Sequence, residues 1–198
     1  MRQCMPVILV FFFLFFVCQN TEEAQAMFSP ALKSDSCAYW QSFVDPKVSP
    51  LGVRSQSDKK GKQLRIIEKP LTEDMNIDEQ RILKGIQCLL NLEGSKHDSI
   101  FKGATGPLTS QTFGPTSVEV AALYYISYLY YRKWDYALAA QLVTDQGFVN
   151  DSDSIRKAYT AYKKWFKKVK QIGLEKARAE GLDPLDGTGI SWYGLAPK

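Results

Sequence analysis

The stretch Val118–Tyr131 restricts the fold of this chain more than any other, because only Glu119 and Ser127 interrupt its apolar and aromatic residues. A helix that is apolar on every side must be covered on every side by other elements. At about 1.5 Å per residue this one spans roughly 21 Å, which is less than the ~30 Å hydrocarbon core of a bilayer. The stretch therefore predicts the central helix of a bundle. Thr116 and Glu119 match a Thr-x-x-Glu capping box at its start.

A second helix is predicted at about residues 77–92, where apolar side chains recur at three- and four-residue steps. Asn76 is its predicted N-cap, and Glu79, three residues on, completes a capping-box-like pair. Gly94 is suited to end the helix, because glycine readily adopts the left-handed conformation common just past a helix C-terminus. This helix would pack one apolar face against the central helix.

The longest helix is predicted to begin at about residue 151, capped by Asn150 or Ser152. Its apolar and aromatic residues also follow three- and four-residue steps, so they mark the side that faces the core. Gly173 interrupts the pattern, and Gly181 is expected to end the helix.

The remaining segments complete an all-α fold, a single-domain helical bundle of four to six helices with at most one minor strand. Residues 29–46 are expected to hold a short docked helix, and residues 63–68 are the strand candidate. Residues 136–143 resume an apolar pattern, which predicts either a continuation of the central helix or a further helix after a bend. Turn residues then lead into residues 190–193, which are expected to fold back onto the core.

The N-terminal segment has the three parts of a secretory signal peptide. Arg2 precedes an apolar run over residues 6–18 that contains several phenylalanines, and a small-x-small site ends at Ala26. The run is shorter than the roughly 20 residues of a membrane-spanning helix, so we expect a cleaved signal peptide at 1–26 and a helical domain at 27–198. The domain would be exported to the periplasm or the extracellular space. The alternative is a lipoprotein signal ending before Cys18, with a lipid anchor on that cysteine.

Two cysteines, Cys37 and Cys88, remain after the predicted cleavage. A single pair in an oxidising compartment predicts a disulfide. In the chain-entropy model, closing a loop of this length stabilises the fold by about 4 kcal/mol. The alternative is that Cys88, in an apolar helix, is a small buried thiol.

Positive charge is concentrated in the last predicted helix. Residues 151–181 hold nine of the chain's 25 lysines and arginines but only four of its 21 acids, whereas the net charge of the whole chain is +4. The candidate binding residues on this helix are Lys163, Lys164, Lys167, Lys168 and Lys170. A local basic face of this kind indicates an anionic envelope component or an acidic protein as the partner, and not a nucleic acid. The alternative is a solvated surface with no partner.

A long connection at residues 94–115 is rich in glycine and proline. Irregular segments of this length inside a compact domain are often functional. Gly103, Gly106 and Phe113 are therefore candidate binding residues. The segment lacks the Gly-Lys-Ser/Thr ending of a phosphate-binding loop, so phosphate binding of that type is not predicted.

Three polar residues, Asp135, Glu119 and His97, are the candidates for catalysis. Asp135 lies between two aromatic residues, but on a continuous helix it would point about 160° away from Glu119, so the two carboxylates are not predicted to act together. His97 is the only histidine, and no nucleophile accompanies it at a recognisable spacing. A zinc site needs three or four ligands, and the sequence shows no such set.

These observations favour an exported helical binding or interaction protein without an evident catalytic site. By analogy, one concrete form is an inhibitor or immunity-like partner of an envelope-acting protein. The first alternative is a small cell-envelope enzyme using Asp135, Glu119 or His97. The second is a structural lipoprotein anchored through Cys18. No cofactor, no metal and no transmembrane helix in the mature chain are expected.

Overall fold

A computed structural model describes most of the chain beyond residue 35. The described residues are 36–48, 56–57, 63–64, 78–100, 114–133 and 137–195. They all fall within one compact unit, Asp35–Lys198. The predicted signal peptide, its cleavage site and Cys18 lie outside them.

About half of the described residues are helical, in five helices, so the prediction of a mostly helical fold is confirmed. The elements in chain order are α1 (Cys37–Gln41), β1 (Gln56–Ser57), β2 (Gln63–Leu64), α2 (Glu79–Leu90), α3 (Val118–Tyr131), β3 (Leu142–Thr144), α4 (Ser152–Ile172), α5 (Leu174–Ala179) and β4 (Ile190–Trp192). β1 pairs with β2 and β3 pairs with β4, both antiparallel. The prediction of at most one strand is therefore wrong.

The central position of α3 is confirmed by its burial. Every residue from Val118 to Tyr130 is buried, and α2, α4 and α5 all contact this helix. At its C-terminus, the guanidinium of Arg178 on α5 donates hydrogen bonds to the carbonyl oxygens of Tyr130, at 2.6 Å, and Leu129, at 3.3 Å. A cation at this end of a helix also interacts favourably with the helix dipole.

The start of α3 differs from the predicted capping box. Ser117 is the N-cap and makes no side-chain capping bond. The Thr116 hydroxyl instead donates to the carbonyl oxygen of Ala140 at 3.0 Å, and the Glu119 carboxylate accepts from the backbone N–H of Gly94 at 2.9 Å. Both side chains are buried, so they bond to the groups that other segments bring to them and not to their own helix.

The N-terminus of α2 is also capped by a different residue than predicted. Asp78, and not Asn76, is the N-cap, and its carboxylate accepts from the backbone N–H of Arg81 at 2.9 Å. The helix ends at Leu90, with Gly94 in the turn that follows at a φ of +84°. The capping-box role predicted for Glu79 is wrong, because its carboxylate bonds to α5 instead.

Residues predicted as a helix at 136–143 contribute strand β3 instead. Leu142 pairs with Trp192 of β4, so the C-terminal segment folds back onto the core as predicted. Asn150 is not the N-cap of α4; its side chain accepts from the backbone N–H of Leu142 at 2.8 Å and donates to Gln141. These bonds fix β3 against the start of α4.

The N-cap of α4 is Asp151, whose carboxylate accepts from the backbone N–H groups of Asp153 and Ser154. A hydrogen bond from the Ser154 hydroxyl, together with the backbone N–H bonds, lowers the pKa of Asp151. Gly173, at a φ of +88°, separates α4 from α5, and Gly181, at +65°, follows the end of α5. Both glycine predictions are confirmed, since residues other than glycine rarely adopt these positive φ angles.

The predicted disulfide between Cys37 and Cys88 is present and joins α1 to α2. The Cα atoms are 5.0 Å apart across a sequence separation of 51 residues. The side-chain amide of Gln41 also donates to the carbonyl oxygen of Cys88 at 3.1 Å. A five-residue helix has little stability of its own, so these links hold α1 in place.

Candidate functional site

Helix α4 separates its residues sharply into a buried side and an exposed side. The buried residues are Ser154, Ile155, Ala158, Tyr159, Tyr162, Trp165, Phe166 and Val169. The ring of Trp165 meets that of Tyr130 on α3 edge-on, with centroids 4.8 Å apart. The aromatic residues among the lysines therefore face the core, as their spacing predicts.

Every fully exposed side chain of α4 is polar, and cations dominate this side of the helix. We call Lys163, Lys164, Lys167, Lys168 and Lys170 the lysine face. At 100° per residue these five positions fall within an arc of about 160°. Arg156 and Lys157 extend the same side toward the N-terminus, and the one acidic residue of the helix, Asp153, pairs with Arg156 at 3.0 Å.

The lysines of this face differ in how far neighbouring groups compensate their charge. Lys163 forms an ion pair with Glu93, and the ammonium group of Lys170 lies 4.8 Å from the centroid of the Phe166 ring. Within the described part of the chain, Lys164, Lys167 and Lys168 form no ion pair. Three adjacent, exposed and uncompensated cations create a local positive potential that attracts anions.

His97 has an acidic partner that its sequence position did not reveal. Its Nε2 lies 2.8 Å from Oδ1 of Asp45, whose side chain is 7% exposed against 29% for the imidazole. The two residues are 52 positions apart, and no spacing rule connects them. Asp45 also accepts from the backbone N–H of Lys47 at 2.8 Å. Asp45 can orient the imidazole, but it contacts Nε2, whereas the aspartate of a Ser-His-Asp triad bonds to Nδ1.

The Glu119 side chain is buried and makes a structural hydrogen bond. It is 6% exposed, and its carboxylate accepts the Gly94 N–H described above. Asp135 lies outside the described residues, as do Gly103, Gly106 and Phe113. Among the described residues, the Glu119 carboxylate and the His97 imidazole therefore have different hydrogen-bond partners, and the alternative of an enzyme that uses Asp135, Glu119 or His97 stays a prediction.

Two further properties of the described residues bear on the chemistry. They contain no group of three or more histidine, cysteine, aspartate or glutamate side chains placed to hold a metal ion. None of their helices is both long enough and apolar enough to span a bilayer.

No protein-family model, no curated protein and no solved structure matches this chain. Function is therefore inferred from the contacts and charges of its own residues.

Proposed function

We propose that this chain is an exported helical-bundle protein that binds an acidic component of the cell envelope through its lysine face. The observation that carries the proposal is a set of three exposed lysines, Lys164, Lys167 and Lys168, that form no ion pair with any other described residue. The aromatic residues of α4 are buried in the core, and the lysines therefore lie on the side of the helix that faces solvent. An inhibitor that acts by holding an acidic surface of an envelope protein is one form of this function.

Export is supported by two independent features. The N-terminal sequence has the charge, apolar run and small-x-small site of a signal peptide. The Cys37–Cys88 disulfide is typical of proteins that fold in oxidising compartments. Lipid attachment at Cys18 remains the alternative route by which the same domain would reach the envelope.

Export is tested by N-terminal sequencing and intact mass of the protein recovered from its native host. We expect a chain that begins at Met27 and gains about two mass units on reduction, because one disulfide takes up two hydrogens. A mature protein that begins at a lipid-modified Cys18 would replace soluble export by membrane anchoring. A full-length chain in the cytosol would contradict the proposal.

Binding is tested by co-sedimentation of the purified protein with envelope material from the same host. The variant K164Q/K167Q/K168Q removes the uncompensated charges, and K84Q/K96Q/K133Q removes the same number of exposed lysine charges elsewhere. We expect the first variant to bind about 100-fold more weakly, because each of the three lysines near an anionic surface contributes about 1 kcal/mol. The control should stay within about twofold of the wild type, since its lysines lie off α4. Equal losses in both variants would show that only net charge matters and would contradict a site on α4.

A second candidate function, a small envelope enzyme, is favoured by one observation, the hydrogen bond between His97 and Asp45. An oriented imidazole can act as a general base. The variants H97Q and D45N would test it against a panel of ester and amide substrates. A hydrolytic activity that both variants abolish without loss of fold would favour the enzyme.

A further inference from the structure

The exposed side of α4 carries a band of cations that runs along the helix axis. From Arg156 to Lys170 it extends about 21 Å at 1.5 Å per residue, and it is only one helix wide. Lys157, Lys164 and Lys168 lie within about 40° of one another around the helix axis, so they follow nearly one line along it. This arrangement matches a ligand whose negative charges repeat along a chain.

The lysine face lacks the features of a protein-protein interface core. Such cores are enriched in aromatic residues, methionine and arginine and depleted in lysine. On α4 the fully exposed residues are all polar, and Trp165 and Phe166 are 6% and 2% exposed. The exposed side of α4 therefore presents no large apolar side chain that could act as a binding hot spot for a folded protein.

The same burial argues against insertion of α4 into a bilayer and against base stacking of single-stranded nucleic acid. A helix that lies in a membrane interface inserts an apolar face, and the apolar face of α4 is already packed against the core. Proteins that bind single-stranded nucleic acid stack the bases on exposed aromatic rings, and this side of α4 presents none.

Lysine is the cation suited to a repeating, flexible anion. Its ammonium is a point charge on a long side chain, so it can follow an anion without the fixed fork geometry that arginine imposes. Binding of this kind depends on release of counterions from the polymer and needs no single rigid geometry.

We infer that the ligand of the lysine face is a linear polyanion, a flexible polymer with phosphate or carboxylate groups along its length. This inference rests on the proposed function, since it names the chemistry of the acidic component. The polymer lies along α4, with Lys164, Lys167 and Lys168 contacting successive anionic groups. Lys157, whose ammonium also donates to the carbonyl oxygen of Thr188, extends the contact toward the N-terminus of the helix.

The inference is tested with purified protein and defined anions. The probes are long-chain inorganic polyphosphate, tripolyphosphate, polygalacturonate and vesicles of mixed neutral and anionic lipid, all at equal total charge. Three lysine contacts that each release about 0.7 counterion predict a loss of about 20-fold in affinity between 50 mM and 200 mM salt. K164Q/K167Q/K168Q should remove most of that salt dependence, and K84Q/K96Q/K133Q should preserve it.

The inference would be supported if polyphosphate or polygalacturonate binds more tightly than tripolyphosphate and the vesicles do. The polymer that binds more tightly would show whether the ligand carries phosphate or carboxylate groups. Tighter binding of vesicles, or polymer binding that is unchanged in K164Q/K167Q/K168Q, would overturn it. If the envelope co-sedimentation depends on these lysines while neither polymer binds, the proposed function stands and the linear polyanion is excluded. Circular dichroism of each variant verifies that it is folded.

Discussion

The carboxylate of Glu79, in the first turn of α2, accepts a 2.6 Å hydrogen bond from the backbone N–H of Leu174, the first residue of α5, 95 positions along the chain. Gly173 precedes α5 and has no side chain to cap it. The N-terminal N–H groups of a helix have no partner within the helix, and a negative charge is favourable at that end. Glu79 thus supplies the cap that the local sequence of α5 lacks.

Substituting Glu79 by alanine is therefore expected to destabilise the protein. A hydrogen bond to a charged group contributes about 1.5–3 kcal/mol, so the free energy of unfolding in urea should fall by roughly that amount. Gln87 on the same helix is exposed, and its substitution by alanine should change the free energy by less than about 0.5 kcal/mol. Equal effects of the two substitutions would show that the Glu79–Leu174 contact contributes nothing specific.

Gly85 on α2 is predicted to be required for packing against Trp40. A Cβ atom at Gly85 would lie 2.7 Å from Cδ2 of the Trp40 ring, closer than van der Waals contact allows. Alanine in a helix interior normally gains about 1 kcal/mol over glycine, but overpacking a core costs about 1–3 kcal/mol. We expect Gly85→Ala to lower the thermal midpoint, and to do so much less in a Trp40→Leu background. A midpoint that rises in the otherwise wild-type protein would contradict this contact.

A buried hydrogen-bond network joins α3, α4 and β4 at Tyr162. Its hydroxyl lies 2.6 Å from the Ser127 hydroxyl and accepts from the indole N–H of Trp192 at 3.1 Å. Tyr162→Phe leaves a buried indole N–H without this acceptor, which costs about 1–3 kcal/mol. Because Ser127 and Tyr162 share one bond, Ser127→Ala should cost less in the Tyr162→Phe background than alone. A double-mutant cycle in urea measures this coupling, and strictly additive effects would show that the pair is not coupled.

Stability is predicted to decrease at alkaline pH because of buried tyrosines. Burial raises the pKa of Tyr128 from 10.0 to about 12, so the folded state keeps a proton that the unfolded state loses. The contribution that protonated Tyr128 makes to the free energy of unfolding is therefore fully present below pH 10. It is lost progressively as the pH rises toward 12. Tyr128→Phe should show a smaller decrease of the urea midpoint across this range. Identical pH profiles of the two proteins would exclude Tyr128 as a contributor.

The helices could be predicted because the residue pattern that specifies a helix is local in sequence. The disulfide could be predicted because few cysteines are available to pair. The apolar spacing of α2 and α4 repeats with the helix period, α3 is one nearly continuous apolar run, and the two cysteines that remain after the predicted cleavage allow only one bridge. The glycines at 173 and 181 act through their own backbone angles. The inward direction of Trp165 and Phe166 follows from the same periodicity, and so does the outward direction of the lysines between them.

The failed predictions concern polar side chains and short strands. Thr116, Glu79 and Glu119 each match a capping motif, yet each bonds to a distant segment. Residues 142–144 form a strand only because β4 pairs with them from a position near the C-terminus. A strand of three residues has no stability without such a partner.

The sequence by itself determined where the helices form, which side of each is buried and which side carries the lysines, because helix hydrogen bonds and apolar periodicity are both local. Tertiary structure alone decided the partners of the buried polar groups, including Asp45 for His97 and Glu93 for Lys163. A buried polar group must bond to whatever donor or acceptor packing brings within reach, and that depends on contacts between segments far apart in the chain. That Lys164, Lys167 and Lys168 form no ion pair within the described part of the chain is a result of that same packing.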